Sequence, residues 1–303
     1  MMNKNIFVKD IVHFLGNDAL SVYGVVADVF VDNVADLEHT NPTTLDWINV
    51  SKDNKKELVL KSPAKVFIVD PSLEYDSDIQ NAQKILISVE KPRMVMAKVI
   101  TEFFLPKPKP SIHPSAVISK EAEIGSDVYI GAGCVIGKAK IGKNTVLQPN
   151  VVVYDDVTIG NNCLIQAGAI IGTDGLGCMR EPDGKMIKFP HIGGIVICDN
   201  VEIGANCQVA KGVLSDTIIK NGCKINGLCF IAHNCILEEN VWITGDTMLC
   251  GSVKVGKNTT IFSNVIVRDG VHIGEQVTIG MGSVVTKNIP DKETWLGAPA
   301  HKK

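Results

Sequence analysis

The chain has 303 residues, 45% of them hydrophobic, with 33 acidic and 30 basic side chains and a net charge of -3. This length and apolar content are sufficient for two folded units, and the mixed charges argue against a nucleic-acid surface or a polybasic membrane patch. Charged residues such as Lys9, Asp10 and Asp18 interrupt the first apolar residues. Neither a signal peptide nor a membrane-spanning segment is therefore predicted.

The first region, residues 1–105, predicts a small α/β domain. Val8, Ile11, Val12 and Leu15 are spaced as on one face of a helix. Aliphatic and β-branched residues predict short strands at 22–26, 45–50, 66–69 and 85–89. Pro92 is suited to begin a helix that reaches about residue 104. The proline-rich segment 106–110 then predicts a stiff linker.

The second region repeats every six residues. From Ile219 to Val285 an aliphatic residue occupies every sixth position. Neither a helix nor a half-buried strand keeps this spacing, whereas a coil of three short strands per turn does. A second series of small or β-branched residues, from Cys223 to Ser283, suits a narrow core. We therefore predict a mainly β protein, with a parallel β-helix over residues 111–290 and a short tail at 291–303.

The cysteines fit the same repeat. None of the nine forms a C-x-x-C pair, and six occupy the small inward position: Cys134, Cys163, Cys207, Cys223, Cys229 and Cys235. Packing explains these six better than disulfides or metal binding. We therefore expect no metal and a reducing, cytoplasmic location.

Two interruptions of the repeat indicate the face of the coil that carries the functional site, because a regular coil does not need them. Residues 172–194 break the period and contain the turn sequence EPDG at 181–184, which predicts a projecting hairpin. His191, near the end of this insertion, is expected to be structural, with contact to the substrate as the alternative. The period slips again between Lys211 and Thr217.

His233 is the histidine best placed for chemistry. It lies two residues after the inward-facing Ile231, so its side chain points away from the core near a corner. One coil later, Gly251 would leave a backbone N–H uncovered beside the imidazole. An imidazole that takes a proton and an amide that binds an oxyanion are what acyl transfer to an amine requires. The alternative is that His233 is an ordinary surface histidine and Gly251 a corner residue.

Five segments occur in an order that resembles the UDP-3-O-acylglucosamine N-acyltransferases of lipid A synthesis. They are DGLG at 174–177, KFP at 188–190, VEIGAN at 201–206, DTII at 216–219 and IAHN at 231–234. The similarity extends weakly into the first domain, where a KPR sequence at 91–93 precedes a helix. The resemblance implies a left-handed coil, a nucleotide-linked amino sugar as substrate, and a homotrimer with active sites between neighbouring coils.

The same resemblance implies roles for individual residues. His233 matches the family's general base, and Gly251 matches the glycine that supplies the oxyanion amide. Asn226 aligns with an aspartate that supports the histidine, although an amide cannot stabilise an imidazolium as a carboxylate does. Trp47 matches an aromatic residue that stacks on the nucleotide base. Further candidates for substrate contact are Asn234, Asp174 and Lys211.

Other features leave the donor and the exact substrate open. No C-terminal helix of the kind associated with acyl carrier protein is predicted, and the ending GAPA at 297–300 resembles CoA-dependent sugar acetyltransferases. The donor is therefore expected to be a thioester of acyl carrier protein or of CoA, with no permanently bound cofactor. An acetyltransferase for another UDP- or dTDP-amino sugar is the alternative. A zinc β-helix resembling carbonic anhydrase needs three histidines, whereas the long repeat offers only His233 and His272; a purely structural β-helix is the remaining reading.

Overall fold

A computed structural model of the protein describes residues 5–35, 39–106 and 108–303. The chain divides into two compact units, Met1–Lys107 and Pro108–Lys303. Lys107, within the predicted linker, lies outside the described residues. Among the residues that the structure describes, no helix has the length and apolar character needed to cross a membrane.

The first unit combines a mixed four-stranded sheet with short helices. In order across the sheet, the strands are Ser21–Tyr23, Ile85–Ser88, Val66–Val69 and Leu45–Trp47. The first two strands are antiparallel, and the others are parallel. A separate antiparallel pair and the helical segments complete the unit: strands Ile6–Phe7 and Phe30–Val31, helices Val8–Leu15, Lys55–Lys61, Ser77–Asn81 and Pro92–Val99, a 3-10 turn at Gly16–Asp18 and a π-helical turn at Ile100–Phe104.

Local sequence explains these elements. The first helix buries Val8, Ile11 and Leu15, as their spacing predicts. The two central strands are buried along their whole length, which accounts for their hydrophobic sequences, in which Ser88 is the one polar residue. The strand predicted at 22–26 is shorter because Gly24, with a φ of 91°, turns the chain.

The second unit is a parallel β-helix with three sheets. Each regular coil contributes one strand to each sheet. The parallel strands of the first sheet are Ser111–Ile112, Tyr129–Ile130, Val146–Leu147, Leu164–Ile165, Glu202–Ile203, Lys224–Ile225, Trp242–Ile243, Thr260–Ile261, Thr278–Ile279 and Thr294–Leu296. The second sheet contains Val117–Ile118, Val135–Ile136, Val152–Val153, Ile170–Thr173, Gln208–Ala210, Phe230–Ile231, Met248–Leu249, Ile266–Val267 and Val284–Val285. The third contains Glu123–Ile124, Lys140–Ile141, Val157–Ile159, Ile195–Ile197, Thr217–Ile219, Ile236–Leu237, Lys254–Val255 and His272–Ile273.

The interior confirms the six-residue pattern. Every aliphatic residue of the series from Ile219 to Val285 is at most 3% exposed, and so is every member of the small series from Cys223 to Ser283. Burial raises the pKa of the Cys223 thiol to about 11 and that of Cys235 to about 12. These thiols are therefore protonated and act as small apolar side chains. All nine cysteines are free.

The insertion forms an antiparallel hairpin of Cys178–Arg180 and Met186–Lys188, as the turn sequence predicts. The coil continues beyond the insertion, because Ile170–Thr173 pairs with the next strand of its own sheet, with a shift of register between Ile171 and Thr173. At the other end, Thr294–Leu296 adds a parallel strand and buries Trp295. An antiparallel strand, His301–Lys302, follows it. The last strands thus lie within the segment 291–303. A strict six-residue count misses them, because the spacing from Ile279 to Trp295 is not a multiple of six.

Candidate active site

His233 lies at the corner between the second and third sheets, directly after the strand Phe230–Ile231. Ile231 is fully buried and anchors the strand, whereas His233 is half-buried and faces outward. Asn234 completes the corner with a φ of 59°, a left-handed conformation that asparagine adopts more readily than most residues. The position predicted for His233 is therefore the one observed.

The side chain of Asn234 determines which nitrogen of His233 carries the proton. Its Nδ2 donates to the backbone carbonyl of Ser215 at 2.9 Å and to the hydroxyl of Ser215 at 3.0 Å. Its Oδ1 therefore accepts from the N–H of Val213 at 3.0 Å and from Nδ1 of His233 at 3.1 Å. Because an amide oxygen only accepts, Nδ1 of His233 is the protonated nitrogen. In the neutral ring, Nε2 then carries the free lone pair.

Gly251 stacks one coil beyond His233, as the sequence predicts. The N–H of Ser252 donates to the carbonyl of His233 at 2.8 Å, and a Cβ on Gly251 would lie 2.5 Å from Nε2 of His233. Any larger residue would displace the imidazole. No group of the described residues accepts the N–H of Gly251. A basic nitrogen thus lies beside a free amide donor.

Asp269 follows Gly251 by one further coil and was not singled out in the sequence. Its Oδ1 lies 2.6 Å from the same Cβ position on Gly251 that contacts His233. Asp269 follows Gly251 at the same spacing at which Gly251 follows His233, and this spacing is the sequence signal that could have identified it. Its exposed carboxylate is suited to attract a protonated amine towards Nε2.

His191 packs against the ring of the general-base candidate. Its ring centroid lies 5.3 Å from that of His233, with the rings inclined at 76°, and the residue is only 5% exposed. Gly175 lies between the two: a Cβ there would be 2.5 Å from Nε2 of His191 and 3.1 Å from Cδ2 of His233. The insertion therefore contributes directly to the surroundings of His233, beyond the structural role expected of His191.

Asp174 and Lys211, two of the predicted substrate residues, form an ion pair with each other at 3.2 Å. Lys188 of the hairpin also binds Asp174, at 2.6 Å. Hydrogen bonds from Lys188 and Lys211 hold the pKa of the Asp174 carboxyl below its ordinary value. Two ammonium groups thus share one carboxylate, and the cluster keeps a net positive charge.

Asn226 is not brought to His233 within the chain. It lies at the corner between the first and second sheets, after the strand Lys224–Ile225. Its Oδ1 accepts from the N–H of Gly227 at 2.8 Å, and no hydrogen bond joins it to His233 among the described residues. The strand Phe230–Ile231 separates the two corners. The side chain of Asn234, by contrast, has both amide hydrogens engaged with Ser215 and has no donor left for a substrate.

Trp47 lies in the first unit, at the end of the strand Leu45–Trp47. It is half-buried: part of it packs on the core of this unit, and part lines a cavity of about 540 Å³. The other lining residues are Asn49, Val50, Glu90, Lys91, Pro92, Arg93, Met94 and Ala97. An aromatic wall beside two cations suits an aromatic base that carries phosphates.

No group of three or more His, Cys, Asp or Glu side chains that could hold a metal ion occurs within 5–35, 39–106 and 108–303.

Comparisons with known proteins agree with this architecture. A family model described as bacterial transferase hexapeptide (six repeats) matches residues 138–173 and 252–287. Among solved structures, a UDP-N-acetylglucosamine acyltransferase from Campylobacter jejuni is 29% identical, with a TM-score of 0.57. The match covers 64% of this chain and 74% of that one. Such neighbours are left-handed β-helices, and the chain shares this fold.

Curated relatives match over nearly the whole chain. A UDP-3-O-acylglucosamine N-acyltransferase from Helicobacter hepaticus is 33% identical over 300 residues, spanning 92% of this chain and 88% of that protein. A protein of the same name from Methylobacillus flagellatus is 32% identical and spans 97% of this chain and 86% of its own length. The chain therefore belongs to the UDP-3-O-acylglucosamine N-acyltransferase family and is an acyltransferase of the hexapeptide-repeat class.

Proposed function

We propose that this chain transfers an acyl group from a thioester donor to the amine of UDP-3-O-acylglucosamine, with His233 as the general base. The observation that carries the proposal is the free Nε2 of His233 beside the unpaired N–H of Gly251. The names of the relatives supply the substrate. The donor is a thioester of acyl carrier protein or CoA.

The reaction follows from these two groups. The amine nitrogen attacks the thioester carbon, and Nε2 of His233 takes a proton from that nitrogen, a contribution of about 10²–10⁴ in rate. The N–H of Gly251 binds the negative oxygen of the tetrahedral intermediate, a contribution of about 10²–10³. The carbon–sulfur bond then breaks, and the thiolate takes the proton from the imidazolium. The products are an amide and a free thiol.

The first unit supplies nucleotide recognition in this proposal. Trp47 offers a ring face for a base, and Lys91 and Arg93 line the same cavity with positive charge. Base–aromatic stacking contributes about 1–3 kcal/mol, and arginine binds phosphate oxygens with paired donors.

We further propose that the protein is a homotrimer, supported by the outward side of the second sheet. In the two-residue strands of this sheet one residue points inward and its neighbour outward. The outward residues are Val117, Val135, Val152, Ile170, Gln208, Phe230, Met248, Ile266 and Val284. All but the glutamine are apolar, and such a continuous apolar column is suited to a protein interface.

A threefold arrangement would also bring Asn226 to the active site. The corners that contain Asn226 and His233 bound opposite edges of the second sheet. If the second sheets of three copies face one axis, the His233 corner of each copy meets the Asn226 corner of the next. Leu228, at the Asn226 corner, is 62% exposed with a φ of 62°. An exposed leucine in this unfavourable conformation supports a partner at that corner.

Replacing His233 tests the function. The His233→Ala variant should lower kcat for UDP-3-O-acylglucosamine by at least about a hundredfold, while binding of this substrate is unchanged. The exposed His272 provides the control, because His272→Ala should retain wild-type kcat. Donors on acyl carrier protein and on CoA are assayed separately. If His233→Ala keeps more than about a tenth of the wild-type kcat with both donors, the assignment of the base is wrong.

Light scattering after size-exclusion chromatography tests the assembly. A mass about three times the 32.7 kDa of the chain is expected. A monomer at micromolar concentration would refute the trimer.

A further inference from the structure

His191 has one buried polar atom whose presence packing does not explain. Its Nδ1 lies 3.0 Å from the backbone carbonyl oxygen of Phe189, which only accepts, so Nδ1 carries the ring proton. Nε2 is then an acceptor with a free lone pair in the neutral ring. This atom is buried and has no hydrogen-bond partner among the described residues. Buried polar atoms in folded proteins are nearly always partnered, and an exception calls for a reason.

The unpartnered nitrogen and the ring of the general base both border Gly175. Nε2 of His191 and Cδ2 of His233 lie 2.5 and 3.1 Å from one point beside Gly175. The two rings are in edge contact, with centroids 5.3 Å apart. The bond to Phe189 fixes the His191 ring, so the negative end of its dipole is held next to the imidazole of His233.

We propose that His191 is a positioning residue that stabilises the imidazolium of His233 during acyl transfer. A neutral His233 gains little from a neighbouring lone pair, whereas the imidazolium is attracted by it. The interaction is therefore stronger in the transition state than in the resting enzyme, which is the condition for catalysis. Its burial strengthens the effect, because little water screens it. His191 itself gains and loses no proton.

The other charged groups near the site are less suited to this task. The carboxylate of Asp174 is already engaged by Lys188 and Lys211. The carboxylate of Asp269 is exposed, so solvent screens it. His191 is a buried acceptor in contact with the His233 ring, in addition to Oδ1 of Asn234, which accepts from Nδ1.

Two substitutions in the full-length protein separate the acceptor from the packing. The His191→Phe variant keeps an aromatic ring and removes the lone pair together with the bond from Nδ1 to Phe189, whereas His191→Gln keeps an acceptor oxygen. With UDP-3-O-acylglucosamine and the acyl donor at saturation, we expect His191→Phe to lower kcat about tenfold with KM unchanged. His191→Gln should stay within about threefold of the wild type. The melting temperature of the Phe variant should change little, since the loss of the bond from Nδ1 to the carbonyl of Phe189 is offset by the removal of an unpartnered buried acceptor.

The inference rests on the proposed function, in which His233 takes the amine proton. A double variant, His233→Ala with His191→Phe, distinguishes a failure of the inference from a failure of the proposed function. His191→Phe should have no further effect in the His233→Ala background, because its role runs through His233. An active His233→Ala enzyme would refute the proposed function. An inactive His233→Ala enzyme combined with full kcat in His191→Phe would refute the role of His191 alone. Equal losses in the Phe and Gln variants, or a change in KM only, would also overturn it.

Discussion

Gly251→Ala is the substitution whose effect the structure specifies most closely. The new Cβ would lie 2.5 Å from Nε2 of His233 and 2.6 Å from Oδ1 of Asp269. Non-bonded heavy atoms pack at about 3.5 Å, so the imidazole must move by about 1 Å. A misplacement of that size costs on the order of a hundredfold in rate, or about 2.7 kcal/mol of transition-state stabilisation. The oxyanion donor itself remains, because alanine keeps the backbone N–H.

The assay measures kcat, KM and melting temperature for Gly251→Ala and for a matched control. The control is Gly177→Ala, because a Cβ on Gly177 would meet nothing nearer than the Cβ of Phe189 at 3.9 Å. We expect a drop of about a hundredfold in kcat for Gly251→Ala and none for the control, with folded protein in both cases. A Gly251→Ala enzyme within about threefold of the wild-type kcat would show that the Nε2 edge of His233 is not where the reaction occurs.

Three further predictions concern the first unit and the absence of a metal. Trp47→Ala should weaken binding of UDP or dTDP by about ten- to a hundredfold, measured by titration calorimetry; a variant that melts much earlier but binds normally would make Trp47 structural. Burial raises the pKa of Asp46 above its ordinary value. The folded state therefore loses stability as pH rises from the ordinary pKa of this carboxyl to its raised pKa in the folded protein. Asp46→Asn should therefore raise the melting temperature at pH 7 and leave it unchanged at pH 3, and a lower value at pH 7 would contradict this sign. Dialysis against a strong chelator should leave activity intact, whereas a loss restored by zinc would support the reading as a carbonic-anhydrase-like enzyme.

The coil and the pairing of His233 with Gly251 could be predicted because both depend on a fixed period. Inward positions follow from counting by six, and neighbours on adjacent coils follow from adding the coil length. The same addition reaches Asp269 from Gly251. Strand ends in the first unit depend instead on local turns such as Gly24, which propensity alone places less accurately.

The contact between His191 and His233 could not be predicted by counting. The insertion that carries His191 has its own hairpin. The number of residues from a coil strand to His191 therefore does not indicate the position of His191 along the axis of the β-helix. The role of Asn234 depends in the same way on Ser215, which lies in the slipped segment between Lys211 and Thr217. Irregular segments fix these contacts through individual hydrogen bonds, which no periodic pattern encodes.

The register around the hairpin has a consequence for how such enzymes can diversify. Strand Val157–Ile159 pairs with Ile195–Ile197 without a shift, and Ile170–Thr173 pairs with Gln208–Ala210 with one irregularity between Ile171 and Thr173, so both strands still pair with the next strand of their own sheet. Residues can therefore be gained or lost within the hairpin without changing the pitch of the coil, since each coil is stabilised by its immediate neighbours. The shape of the β-helix thus stays constant when the length of the hairpin changes. A change in the length of the hairpin would therefore leave the spacing of His233 and Gly251 unchanged, because both residues lie on regular coils.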